Sequence, residues 1–163
     1  MSNYISMSLK KYEEKELEIL RSAVDKAEER ADRKTANAPI VKQIIAVVEE
    51  FLRKKKLVCY GGTAINNILP QADQFYDKSL EIPDYDFYSA TALDDAKELS
   101  DIYHKRGFPD VEAKSGVHHG TYKVYVNFIP VADITALDPY LFKKVKADSI
   151  SVDGILYAPP NFL

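Results

Sequence analysis

The chain has 163 residues, of which 46% are hydrophobic and 29% charged, and a formal net charge of −3. That composition supplies one globular domain with a moderate core and excludes a disordered chain. No apolar run approaches the roughly 20 residues that cross a bilayer, Met1-Ser2-Asn3-Tyr4 lacks the features of a secretion signal, and the overall charge leaves no nucleic-acid footprint.

A cytosolic setting with no membrane partner is therefore expected. The one cysteine, Cys59, sits in an apolar run and reads as a buried small residue; it has no partner for an internal disulfide.

In chain order, residues 9–34 are rich in Glu, Lys, Arg and Ala. Apolar residues recur at Leu17, Leu20, Val24, Ala27 and Ala31, a narrow stripe along one long helix. The stripe is short for a coiled coil, so the helix is expected to pack on the rest of the domain rather than on a partner helix. Pro39 suits the first turn of a second helix, whose wide face of Ile40, Val41, Ile44, Ile45, Val48, Phe51 and Leu52 belongs in the core. Its basic end, Arg53-Lys54-Lys55-Lys56, complements the helix dipole.

Residues 57–60 read as a buried strand. A short helix follows over 63–69, launched from Gly61-Gly62 and stopped at Pro70. A polar and aromatic loop, 71–83, leads to a strand over 84–88. Leu93, Ala96, Leu99 and Tyr103 mark a helix that ends by Gly107 and Pro109. Residues 111–114 form a short strand, 116–120 a turn holding His118 and His119, and 122–137 a long β segment interrupted at Pro130. Asp153-Gly154 between two short apolar runs is a hairpin signal.

The chemistry gathers at the glycines and the acids. Strand, glycine turn and helix together aim free N–H donors at an anion. In a strand alternate side chains share a face, so Asp84 and Asp86 point one way while Tyr85 and Phe87 point the other. Two adjacent carboxylates repel, and a divalent cation removes the conflict. A two-metal phosphoryl-transfer site needs a third carboxylate. Alternation along Val131-Ala132-Asp133-Ile134-Thr135 turns Asp133 away from the core and toward the pair. Asp138 is the runner-up for that third carboxylate, but it precedes Pro139, where a turn or helix-cap role is the more economical reading. A calcium loop fits poorly, because no glycine follows the acids. Lys123 approaches the nucleotide or is simply a solvated lysine, and Lys143, Lys144 and Lys146 are a solvated face or phosphate contacts.

On Tyr60-Gly61-Gly62-Thr63-Ala64-Ile65-Asn66, Asp84-Tyr85-Asp86-Phe87 and Ala132-Asp133-Ile134, the chain resembles the polymerase-β-like nucleotidyltransferase superfamily. More closely, 61–70, 83–89 and 124–135 are similar to the catalytic subunits of poly(A) polymerases from giant DNA viruses of the mimivirus type, and the similarity runs from about residue 41 to 163. The resemblance implies an α/β (α+β) nucleotidyltransferase fold, a short mixed sheet flanked by helices. Residues 1–36 would form an N-terminal helical arm and 37–163 the catalytic core, truncated at its C-terminal end. Asp84, Asp86 and Asp133 would bind two Mg²⁺ (or Mn²⁺) ions and act in catalysis. Gly61, Gly62, Thr63 and Asn66 would hold the nucleotide, though the residues alone read Asn66 equally as capping or core hydrogen bonding.

The implied reaction adds AMP from ATP to an RNA 3′ end, in host cytoplasm, viral factory or virion, with a homodimer or a processivity partner as further expectations. The gap between Gly62 and Asp84 is longer than in the smallest superfamily members, and 71–83 is a candidate for the rim of the site. Two rivals stand beside this reading. One keeps the chemistry with another acceptor, and the other is a non-catalytic module for RNA docking or assembly.

Overall fold

The computed structural model describes residues 2–77 and 79–162, with backbone alone for 2–10 and Arg33. Helix α1 (Ser2–Ala36) leads to α2 (Pro39–Lys55), strand β1 (Val58–Tyr60), α3 (Gly61–Ile68), a single 3-10 turn at Gln71–Asp73, and β2 (Tyr85–Ser89). Then come α4 (Ala92–Lys105), β3 (Glu112–Ser115), β4 (Thr121–Val126), β5 (Ile129–Ala136), α5 (Pro139–Ala147), β6 (Ile150–Val152) and β7 (Ile155–Tyr157).

The strands form one mixed sheet in the order β3-β4-β5-β2-β1-β7-β6. β2 runs parallel to β5 and β1 parallel to β7, and every other pairing is antiparallel. One sheet face is apolar because alternate residues supply it: Cys59 on β1, Tyr85 and Phe87 on β2, Ala132 and Ile134 on β5. Against it lie α2, through Ile44, Val48, Phe51 and Leu52, and α4, through Ala92, Ala96, Leu99 and Tyr103. Each large aliphatic side chain fully buried there contributes about 1.5–3 kcal/mol.

Several polar groups on this side are paired. The Tyr103 hydroxyl donates to the Ile44 carbonyl at 2.7 Å, and the Tyr85 hydroxyl to Glu49 at 2.6 Å. Asp95, 1% exposed, accepts from the Ser89 hydroxyl at 2.5 Å and faces Lys55 at 2.9 Å. That ion pair ties α2 to α4. It also gives the basic end of α2 a structural task, as does Arg53, whose Nε donates to the Asp153 carbonyl at 2.8 Å.

The structure departs from the sequence expectations in several places, beginning with Ile40, expected in the core and 39% exposed. The α1 stripe is not packed: Leu17, Leu20 and Val24 are 53%, 61% and 55% exposed. α2 spends its apolar face on the sheet and leaves Lys42, Gln43 and Glu50 outside, and of the arm Ala36 is buried. Leu93 is exposed and Ala92 takes its place, because the buried face of α4 follows 92, 96, 99 and 103, with Leu93 a step of about 100° away.

The long β segment is in fact the β4–β5 hairpin. It turns on Asn127 and Phe128, both at positive φ (50° and 63°), a pairing of torsions suited to a two-residue hairpin turn. Pro130 is tolerated because the register shifts between Val124 and Tyr125, where a proline needs no ladder donor. Finally, α5 was not anticipated as a helix. Its cap was: the Asp138 carboxylate accepts from the Tyr140 and Leu141 N–H groups at 2.9 and 3.3 Å. The Asp153-Gly154 hairpin stands as expected, both residues at positive φ.

Candidate functional site

The other sheet face carries the polar chemistry. Cross-strand pairing aligns Tyr60 with Asp86, Asp86 with Asp133, and Asp133 with Lys123. These four residues therefore form one row across β1, β2, β5 and β4, and side chains directly opposite in a sheet stand about 4.5–5.5 Å apart at Cβ. Asp84 falls one residue before β2, a shift from the expected strand start, and its backbone carbonyl accepts the Thr63 hydroxyl at 2.9 Å. A cleft of about 230 Å³ opens here between Gly62 and Thr63 on one side, Asp84 and Asp86 on another, and Tyr76, Glu81, Ile82 and Pro83 of the preceding loop.

Gly61 is fixed by two demands. Its φ is +76°, and a Cβ built on it would lie 2.7 Å from Asp86 Oδ2. Any side chain would be strained and would also strike the carboxylate. At Gly62 a Cβ would meet the Tyr76 hydroxyl at 2.7 Å. Gly61 thus lets the Asp86 carboxylate, and Gly62 the Tyr76 hydroxyl, approach the backbone closely at the start of α3, where helix N–H groups lack intrahelical partners.

The carboxylates feel one another. Burial first, then Asp84, then Asp133 push Asp86 up to about 6, while Lys123 pulls the other way. Asp84 is also raised, by burial and then by Asp133. Asp84 Oδ1 and Asp133 Oδ1 are buried and lack any hydrogen-bond partner. Among the described residues, no three acidic, His or Cys side chains are drawn together as a ready-made metal cage. Asp133 Oδ2 is held by the Lys123 ammonium at 2.5 Å. Hard oxygen donors, mutual repulsion and two orphaned carboxylate oxygens fit a Mg²⁺-type ion.

Beside the row, the rings of Tyr60 and Tyr88 stack with centroids 4.1 Å apart. The Tyr60 and Thr135 hydroxyls lie 2.8 Å apart.

Of the residues singled out from sequence, Gly61, Gly62, Thr63, Asp84, Asp86 and Asp133 come together. Two differ from expectation. Thr63 lines the cleft, but its hydroxyl is committed to the Asp84 carbonyl. Asn66 is 1% exposed, and its Oδ1 accepts the Phe75 and Tyr76 N–H groups at 2.8 Å each. Asn66 thereby pins the loop that walls the cleft in place of touching a nucleotide directly.

The loop 71–83 is the expected rim of the site, and within it Tyr76 and Glu81 wall the cleft. Lys123 was seen but not placed. Its signal would have been the β4–β5 hairpin, and Asn127-Phe128 is a weak turn signature.

A mixed sheet with a glycine turn after one central strand, and acids at its neighbour β2 and on β5 beyond it, defines the nucleotidyltransferase fold. In the structure of the Megavirus polyadenylate synthase that fold is matched with a TM-score of 0.77 at 30% identity, over 90% of this chain and 30% of that one.

The chain belongs to the poly(A) polymerase catalytic subunit family, whose model matches residues 46–163. It is 36% identical over 123 residues to a poly(A) polymerase catalytic subunit of Acanthamoeba polyphaga mimivirus, covering 74% of this chain and 20% of that protein. To the corresponding protein of African swine fever virus it is 36% identical over 115 residues, covering 71% of this chain and 24% of the relative. The chain thus spans about a fifth to a quarter of the length of these relatives. Among the described residues no helix is long and apolar enough to cross a membrane.

Proposed function

We propose that this chain is the catalytic core of a nucleotidyltransferase that adds AMP from ATP to the 3′ end of RNA, working in the host cytoplasm or viral factory. The observation that carries the reading is the in-register pairing of Asp86 with Asp133, beside a glycine whose Cβ would collide with Asp86. Asp84, Asp86 and Asp133 are the residues that would hold two divalent ions. Bound Mg²⁺ or Mn²⁺ would supply charge neutralisation for the triphosphate and acidify the attacking hydroxyl.

The chain's own groups do the positioning. Gly61 and Gly62 leave room for phosphate oxygens to reach the free N–H groups at the start of α3. The orphaned Asp133 Oδ1 is the acceptor placed to help take the proton of the RNA 3′-hydroxyl. Tyr76 and Glu81 wall the cleft on the loop side. Adenine preference and a partner or second copy for processivity belong to this reading through family membership.

The test pairs binding with chemistry. Mn²⁺ and ATP binding are measured for the chain and for an Asp84→Asn, Asp86→Asn double variant. Extension of an oligo-RNA primer is then followed with labelled ATP. Binding that depends on the two acids, with a ladder formed only from a 3′-hydroxyl primer, supports the reading. Equal binding by both proteins rules the metal site out. Metal-dependent ATP binding with AMP passed to a non-RNA acceptor would instead make the chain a transferase of another substrate.

A further inference from the structure

Lys123 is the one cation that counters the carboxylate row among the described residues: it opposes the raised pKa of both Asp84 and Asp86. Its place is dictated by the fold. β4 and β5 set Lys123 directly opposite Asp133, and the ammonium closes on Asp133 Oδ2 at 2.5 Å. The pairing is asymmetric. Asp133 Oδ2 is taken by the lysine, while Oδ1 stays buried without a partner.

The lysine side chain is 32% exposed and the aspartate 18%, so the ammonium has an open path away from the site while the carboxylate does not. Lysine suits such a duty better than arginine, being a compact point charge on a flexible stem that releases as easily as it binds.

We propose that Lys123 is a resident counterion for the third carboxylate: it occupies Asp133 Oδ2 in the ion-free protein and competes with a divalent ion for the charge of that carboxylate. The inference rests on the metal-binding reading above. Its physical basis is competition. One carboxylate oxygen cannot give its full charge to an ammonium and to a divalent cation at once, and the ammonium left nearby repels the incoming ion. The lysine therefore lowers metal affinity at rest while offsetting repulsion among three half-buried acids. A purely structural salt bridge makes the opposite prediction, because losing it would loosen Asp133 and weaken metal binding.

The test is Mn²⁺ titration, read by the electron paramagnetic resonance of free Mn²⁺, of the chain and of Lys123→Met, with Lys123→Gln as a second variant should the first fold poorly. Circular dichroism checks the fold, and no turnover is needed. Removal of the ammonium is expected to tighten Mn²⁺ binding roughly tenfold, the size of a typical coupling between two sites. The gain should vanish when Asp133→Asn is added.

Unchanged or weaker binding by a folded Lys123 variant, with wild-type binding still dependent on Asp84 and Asp86, overturns the counterion role and leaves the metal site standing. Absence of Mn²⁺ binding in wild type and variant alike overturns both.

Discussion

Gly61 and Asp86 are mutually fitted: a Cβ at residue 61 would stand 2.7 Å from Asp86 Oδ2, and the backbone there has a φ of +76°. The bend after β1 and the acid on β2 thus share one volume that only a glycine leaves open. Gly61→Ala is expected to cost about 1–2 kcal/mol from the positive φ alone and to push the Asp86 carboxylate out of the row. The measurement is a thermal melt beside Mn²⁺ binding. A variant with lost stability and unaltered metal affinity would show that the bend does not set the position of Asp86.

Asn66 holds two N–H groups of the cleft wall on one oxygen. Asn66→Ala leaves both without that acceptor, and a lost hydrogen bond to a buried group costs about 1–3 kcal/mol. Faster hydrogen exchange is expected at Phe75 and Tyr76, with weaker ATP binding and a smaller change in Mn²⁺ affinity. Exchange confined to other segments would mean that the loop is held by something else.

Asp95 is nearly fully buried, with Lys55 as its ionic partner. Burial and ion pairing differ for the two ends, since Lys55 is 32% exposed against 2% for the Asp95 side chain. Lys55→Met strands the charge inside, and a loss of about 2 kcal/mol is expected. Lys55→Met combined with Asp95→Asn should recover part of it, because the second change removes the stranded charge. Urea unfolding of the three proteins checks the cycle.

The pH dependence of the ion-free protein follows from Asp86. Its folded pKa is lifted to about 6, by burial before anything else, so the folded state binds a proton that the unfolded state releases. Stability therefore falls as pH rises from the ordinary carboxylate range to about 6, and the penalty is fully present above that. In EDTA, Asp86→Asn is expected to raise the melting temperature by a few degrees at pH 7.5, and by less at pH 5. Added Mn²⁺ should stabilise the wild type far more than this variant. A gain that does not depend on pH would assign it to packing.

Much of the site was legible along the chain, because its parts are local. Val58-Cys59-Tyr60 followed by two glycines reads as strand and tight turn, and alternation alone puts Asp86 opposite the buried Phe87 face. Asp133 could be turned outward by the same counting. What alternation cannot supply is neighbourhood. Pairing of β2 with β5, which sets Asp86 against Asp133, joins strands with a helix and two further strands between them. The Lys123 ammonium reached Asp133 only through a hairpin with a poor turn signature and a register shift at Pro130. Asn66 on its short helix reads equally as a core hydrogen-bonder or a ligand contact, and the loop folded back over that helix gives its oxygen two N–H donors.

The amino-acid order by itself determined the local pieces: the glycine bend with its free N–H groups, the outward acids on two strands, the Asp138 cap and the Asp153-Gly154 turn. Each depends on torsions and alternation within a few residues. The tertiary structure alone decided which charges meet, because cross-strand register brings residues distant in sequence within reach. It also left the α1 stripe bare, since no neighbouring helix kept an apolar face for it.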